Sequence, residues 1–147
     1  MMELRELYQE IIMDHNRSPR NHRVMTSPSC EAKGFNPLCG DKLTVYLSVA
    51  NDKILDASFV GCGCAISQAS ASLMTEAICG KTIKEAHQLF RRFHGMVTSD
   101  DSPNDTLDKL TVLAGVRHFP ARVKCATLAW HTLECALKQE EAMVTTE

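Results

Sequence analysis

The chain has 147 residues, of which 44% are hydrophobic and 23% charged, and its formal net charge at pH 7 is -2. This length fits one compact domain that can bury a core without cross-links. Because the 16 basic residues are balanced by 18 acidic ones, the net charge does not favour binding to nucleic acid or to an anionic membrane. The sequence shows no signal peptide and no apolar run of about 18 residues. We therefore expect a cytoplasmic protein whose 7 cysteines are reduced thiols, used for metal or sulfur chemistry rather than for disulfides.

The first half of the chain predicts a helix followed by a β-hairpin. Apolar residues over 4–12 repeat at helical spacing. Residues 16–42 contain several prolines, glycines and asparagines, and they predict a long loop. Apolar and polar residues alternate over 43–49 and again over 55–59, which predicts two strands. Asn51–Asp52 lies between them and suits a hairpin turn.

The second half predicts helices. An apolar stripe over 66–78 predicts a helix that stops at Gly80. The sequence Thr82–Glu85 has the pattern of a capping box at the start of the next helix. A loop is predicted from residue 97, followed by a short helix over 107–116 and a last helix over 123–137.

This order of elements predicts an α+β fold in one domain over residues 1–147. We expect a small antiparallel sheet of about three strands, covered on one face by helices, with helices at both the N-terminal and the C-terminal side. The polar tail over about 139–147 is expected to be frayed.

Four cysteines lie where predicted elements meet. Cys39 comes just before the first predicted strand, Cys62 and Cys64 lie between the second strand and a helix, and Cys125 lies in what we predict as the first turn of the last helix. Such junctions can bring thiolates to one point, and a helix N-terminus lowers the pKa of a thiol. Asp41 follows Cys39 in a Cys-x-Asp pair that could bind one ion. Soft thiolates with one carboxylate match zinc or an iron–sulfur cluster.

The remaining cysteines and the histidines have plainer interpretations. Cys30, Cys79 and Cys135 are interpreted as small buried hydrophobic residues. Cys135 lies about 15 Å along the last helix from Cys125, too far to share a metal ion. None of the histidines has a metal-like spacing to another ligand. They are His15, His22, His87, His94, His118 and His131.

Three cysteine motifs resemble those of the U-type iron–sulfur cluster assembly proteins. They are Asn36–Asp41 (NPLCGD), Gly61–Ser67 (GCGCAIS) and Arg122–Trp130 (RVKCATLAW), and the opening segment Tyr8–Asn21 is similar as well. The resemblance runs from about residue 3 to residue 137.

Within that family the chain resembles the SufU branch more than the IscU branch. Lys124 precedes the third motif cysteine, where the IscU branch carries a histidine ligand. The Leu-Pro-Pro-Val-Lys segment of the IscU branch is absent, and residues 119–123 stand in its place. An additional segment over about 97–117 is similar to the insertion of SufU proteins.

The resemblance implies a function in sulfur handling. A pyridoxal-phosphate cysteine desulfurase would supply a persulfide, and Cys39 would accept its sulfur. Asp41, Cys64 and Cys125 would be the other metal ligands, with Cys62 as the alternative to Cys64. The cofactor would be zinc, or iron, or a transient [2Fe–2S] cluster. Downstream iron–sulfur assembly or acceptor proteins would be further partners.

Four interpretations of the activity stay open at this point. The chain could be a zinc-dependent sulfurtransferase, or a scaffold without enzymatic activity on which a cluster is built. It could also be an interaction module that a metal ion merely stabilises; a closed site would indicate this, because structural zinc is sealed from solvent. A thiol hydrolase is the weakest reading, since no Cys–His–Asn or Cys–His–Asp arrangement can be assigned.

Overall fold

The computed structural model describes residues 4–98, 107–138 and 144–145. The elements, in chain order, are helix α1 (Leu4–Arg17), strands β1 (Cys30–Asn36), β2 (Asp41–Ala50) and β3 (Lys53–Cys62), helices α2 (Ala65–Ile78) and α3 (Ile83–Thr98), a 3₁₀ helix (Asp108–His118), helix α4 (Pro120–Leu137) and strand β4 (Val144–Thr145). This is the α+β architecture that the sequence predicts. No helix in this part of the chain is long and apolar enough to cross a membrane.

The sheet has the strand order β3-β2-β1-β4, in which β1, β2 and β3 are antiparallel and β4 runs parallel to β1. The predicted hairpin is confirmed as β2 and β3. Ala50 pairs with Lys53 across a two-residue turn, and both turn residues, Asn51 and Asp52, have positive φ angles of 54° and 61°. This conformation matches the right-handed twist of the strands and is favourable for asparagine and aspartate.

Strand β1 lies inside the segment that the sequence analysis assigned to a loop, and this assignment was wrong. The strand was missed because its inward-facing residues are small or polar, namely Ala32, Gly34 and Asn36. A side chain at Gly34 would collide with Thr132 Oγ1, 2.2 Å from the Cβ position, so α4 packs directly on the β1 backbone.

The expectation for the tail needs a correction too. Val144–Thr145 form β4 beside β1, because an exposed sheet edge can add any extended segment. The other residues of the predicted tail, 139–143 and 146–147, lie outside the described part.

The predicted helices are present. The capping box is confirmed, since the Thr82 N–H donates to Glu85 Oε1 (2.9 Å) and the Glu85 N–H donates to Thr82 Oγ1 (3.0 Å). Helix α3 continues to Thr98, past the predicted start of the loop at residue 97; residues 99–106 of that loop are not described. The short helix predicted over 107–116 is present as the 3₁₀ helix Asp108–His118.

Helices α2 and α4 pack against each other and on the sheet. Trp130 of α4 is fully buried and stacks on Phe93, with ring centroids 4.6 Å apart. Its indole N–H donates to Ser70 Oγ of α2 (3.2 Å), and the Ser70 hydroxyl donates to the Ala126 carbonyl oxygen (2.6 Å). This packing places the first half of α4 at one end of the sheet. The β1–β2 loop and the junction between β3 and α2 lie at the same end.

Candidate metal centre

The loop of the β1–β2 hairpin carries the first cysteine. Asn36 ends β1 and pairs with Asp41, the first residue of β2. The Gly40 N–H donates to the Asn36 carbonyl oxygen (2.9 Å) and closes the loop over residues 37–40. Cys39 is exposed at this loop, whereas the Asp41 side chain is fully buried.

Three of the four predicted ligands come together. One sulfur or carboxylate oxygen from each of Cys39, Asp41 and Cys125 lies within 4.8 Å of the other two. The Cys125 thiol donates to Cys39 Sγ at 3.3 Å. Among the described residues this is the one group of three or more potential ligands at such distances.

Cys64 lies beside this group. It caps the N-terminus of α2, where its Sγ accepts the Ser67 N–H at 3.4 Å. Its own backbone N–H donates to Asp41 Oδ1 at 2.9 Å. The Cys64 Sγ is outside the set of atoms within 4.8 Å of one another, but the Cys64 backbone is hydrogen-bonded to the carboxylate of that set.

The strand register separates Cys62 from the group. Cys62 pairs with Lys42, and paired residues of antiparallel strands share a face. Since side chains alternate along a strand, Lys42 and Cys62 point to the face opposite that of Asp41 and Leu43. Both Lys42 and Cys62 are exposed. The register therefore favours Cys64 over Cys62 as a ligand.

Cys125 differs from its sequence-based prediction in two respects. Helix α4 begins at Pro120, so Cys125 lies in the second turn, where the effect of the helix N-terminus has faded. Cys125 is 2% exposed. Burial, and then the neighbouring Cys39, Asp41 and Cys64, raise the pKa of the Cys125 thiol instead of lowering it.

The chemistry of this donor set fits a metal cation. Among the described residues no lysine, arginine or histidine forms an ion pair with the buried Asp41 carboxylate, and a buried carboxylate without a cation is costly. Two thiols and this carboxylate converge on one point, with a third thiol adjacent. Zinc takes such sulfur-rich sets with one oxygen ligand.

Asn36 is the residue of this site whose contribution the sequence analysis missed. It is fully buried, and its side-chain amide N–H groups donate to Asp41 Oδ2 (3.2 Å) and to Cys125 Sγ (3.5 Å). Its place in the NPLCGD motif was visible in the sequence. Its pairing with Asp41 became visible only with the correct assignment of β1.

The cysteines interpreted as packing residues lie elsewhere. Cys135 is buried in α4, and Cys30 starts β1 opposite Leu47. The interpretation as buried residues holds for Cys135 only: Cys30 is partly buried, and Cys79 is exposed because it lies in the turn that ends α2. Cys64 caps the start of this 14-residue helix, which keeps the thiols of Cys64 and Cys79 about 20 Å apart.

Replacing Cys79 or Cys135 with alanine should therefore leave the metal content and the sulfur transfer near those of the wild type. The loss of buried sulfur at Cys135 should cost about 1 kcal/mol of unfolding free energy. Elemental analysis of the purified variants checks this expectation. A large loss of bound metal from a folded variant would contradict it.

A comparison with protein families shows which family this chain belongs to. The family model described as NifU-like N terminal domain matches residues 7–126. The chain belongs to this family. All four proposed ligands lie within the matched range, as does Asn36.

Two relatives are similar to this chain over nearly its whole length. The zinc-dependent sulfurtransferase SufU of Bacillus subtilis (strain 168) is 42% identical over 137 residues, which cover 92% of each chain. The iron–sulfur cluster assembly scaffold protein IscU of Streptococcus pyogenes serotype M1 is 39% identical, over 95% of this chain and 87% of its own length.

A solved structure shows the same fold. It is the crystal structure of a putative iron–sulfur cluster assembly scaffold protein for the SUF system from Fervidobacterium islandicum AW-1. It superimposes with a TM-score of 0.84 at 37% identity, and the match covers 92% of this chain and 99% of that one.

Proposed function

We propose that this chain acts in cytoplasmic iron–sulfur cluster assembly as a zinc-dependent acceptor of persulfide sulfur from a cysteine desulfurase. The observation that carries the proposal is the asymmetry of the site. An exposed thiol, Cys39, lies within 4.8 Å of a buried thiol and a buried carboxylate, those of Cys125 and Asp41. A working site has to be reachable from solvent, whereas a structural zinc site is closed.

The metal would be held by Cys39, Asp41, Cys64 and Cys125. Zinc at this place would keep the cysteine sulfurs as thiolates and ordered. The 42% identity to a zinc-dependent sulfurtransferase supports this choice of metal. Five of the cysteines, namely Cys39, Cys62, Cys64, Cys79 and Cys125, are free thiols, which is in keeping with a reducing compartment such as the cytoplasm.

The transfer itself is a thiol exchange. The Cys39 thiolate attacks the terminal sulfur of the desulfurase persulfide. A new bond forms between Cys39 Sγ and that sulfur, the sulfur–sulfur bond of the donor breaks, and the desulfurase cysteine leaves as a thiolate. The hairpin loop presents Cys39 to a partner, while the buried ligands stay behind it.

We assign the chain to the SufU branch. Lys124 stands before Cys125, and the segment over about 97–117 is proposed to be the SufU-type insertion within a single domain. Of this segment, Leu110 and Leu113 of the 3₁₀ helix are buried in the common core, which supports its being part of the same domain.

A scaffold function is the second candidate, because relatives named as IscU scaffolds are up to 39% identical over most of the chain. In that case the same ligands would hold a [2Fe–2S] cluster. Anaerobic reconstitution with iron and sulfide distinguishes the two, since a scaffold would acquire the absorption bands of a cluster and a sulfur acceptor would keep its zinc.

Incubation with the cognate desulfurase and cysteine tests the proposal. The zinc-loaded chain should gain one or more sulfur atoms, each adding about 32 Da in the mass spectrum. The chain stripped of zinc by a chelator should gain sulfur much more slowly, because its thiols are then protonated and disordered. A chain that binds zinc tightly and collects no sulfur would instead be a metal-stabilised interaction module.

A further inference from the structure

The two buried ligands of the site share one hydrogen-bond donor. The Asn36 side-chain nitrogen lies 3.2 Å from Asp41 Oδ2 and 3.5 Å from Cys125 Sγ. An amide nitrogen carries two N–H groups, so both contacts can be made at once. Asn36 thus joins β1, the start of β2 and helix α4 at a single point.

The orientation of this amide is fixed by its other end. Asn36 Oδ1 accepts the Leu38 N–H at 3.3 Å. With the amide turned over, an oxygen would face the Asp41 carboxylate and an N–H₂ group would face the Leu38 N–H. Both contacts would then be repulsive, and Asn36 is fully buried, so no water would compensate for them.

Hydrogen bonds to the site are distributed unevenly. Asp41 accepts one from Asn36 and one from the Cys64 N–H, Cys125 accepts one from Asn36, and Cys64 accepts one from the Ser67 N–H. Among the described residues no N–H group donates to Cys39 Sγ. The buried ligands are therefore held by N–H groups, whereas Cys39 Sγ accepts the Cys125 thiol instead, a hydrogen bond that is lost once both sulfurs are thiolates.

We infer that Asn36 is a positioning residue, which fixes Asp41 and Cys125 so that the site retains its metal while Cys39 is free to leave for sulfur transfer. The inference rests on the proposed function. Groups that hydrogen-bond to metal ligands orient them, and their loss typically weakens metal binding about 10-fold to 100-fold. In this inference Asn36 acts through Asp41 and Cys125 and does not itself bind the transferred sulfur.

The rate of zinc release to an excess of a chromophoric chelator tests the inference. Asn36→Ala should release zinc about tenfold faster than the wild type. Thr75→Ala is the matched control: Thr75 is also fully buried, and it too gives and accepts side-chain hydrogen bonds, to the Ser72 carbonyl oxygen and from Asn21, but away from the metal site. It should release zinc at the wild-type rate. Circular dichroism first shows that both variants are folded.

A double-mutant cycle separates positioning from a structural effect on the loop. If Asn36 acts through its ligands, Asn36→Ala in an Asp41→Ala background should speed release by about threefold or less. If Asn36 acts only through the Leu38 N–H and the loop, the double variant should release zinc faster than the wild type by the product of the two single-variant factors. This result would overturn the inference.

The absorption spectrum of the cobalt-substituted protein is a second measurement, because it reports ligand geometry and not stability. Asn36→Ala should change the cobalt spectrum, and Thr75→Ala should not. An unchanged spectrum overturns the inference. This measurement does not depend on Asp41→Ala, so it still decides the question if that variant holds no metal and the cycle cannot be completed. A wild-type chain that binds no zinc would instead refute the proposed function, so the two failures are distinguishable.

Discussion

Replacing Cys39 with serine should abolish sulfur transfer to this chain. Serine retains the shape of the side chain, but its hydroxyl is a poor nucleophile at neutral pH and cannot carry a persulfide. Cys39 is exposed on the hairpin loop, so its replacement should change the unfolding free energy of the metal-free chain by no more than about 0.5 kcal/mol. Mass spectrometry after incubation with desulfurase and cysteine should show no adduct at position 39.

The matched control for this experiment is Cys62→Ser. Both cysteines are exposed, but Cys62 points to the sheet face opposite that of Asp41. Cys62→Ser should collect sulfur at the wild-type rate and keep its zinc. If Cys39→Ser still gains the adduct at the wild-type rate and Cys62→Ser does not, the acceptor is Cys62 and the proposed role of Cys39 is wrong.

Replacing Gly63 with alanine should disrupt the metal centre by displacing the Asp41 carboxylate. A Cβ atom at this position would lie 2.5 Å from Asp41 Oδ1 and 3.1 Å from Asp41 Cγ. The carboxylate cannot move aside without losing its bonds to the Cys64 N–H and to Asn36. We expect zinc affinity to fall about tenfold or more and the unfolding free energy to fall by about 1–3 kcal/mol, measured by chelator competition and by urea unfolding.

Gly115→Ala is the control for Gly63→Ala. Gly115 lies in the 3₁₀ helix, and a Cβ atom there would have no neighbour within 4 Å. This substitution should leave zinc affinity unchanged and should not destabilise the chain, because alanine restricts the unfolded state more than glycine. Equal zinc affinities of the two variants and the wild type would show that the Asp41 carboxylate is not a ligand, or that it tolerates displacement.

The sequence alone was sufficient for features that depend on neighbouring residues. Alternation over 43–49 and 55–59 predicted β2 and β3, and the polar pair Asn51–Asp52 predicted their turn. Thr82–Glu85 predicted a helix start. These predictions succeed because strand alternation, turn conformation and capping each involve residues a few positions apart.

Sequence reasoning also selected the residues around which the site is built. Cys39, Asp41 and Cys125 were chosen as a thiol-rich set at element junctions, and the structure places them within ligand distance of one another. Donor chemistry is a property of residue type, so it can be recognised before the fold is known. Donor chemistry by itself could not choose between Cys62 and Cys64, which are two residues apart in one junction, so the choice of Cys64 rested on the resemblance to the SufU branch.

Tertiary structure decided what depends on register and burial. Strand β1 carries few large apolar residues, since α4 packs against its backbone at Gly34, and no local pattern reports such packing. The pairing of Cys62 with Lys42 follows from the sheet register, and it turns Cys62 away from Asp41. Asn36 and Cys125 are 89 positions apart along the chain. Their contact, and the burial that raises the pKa of the Cys125 thiol, arise only when α4 packs on the end of the sheet, because desolvation is a property of the assembled core and not of any segment.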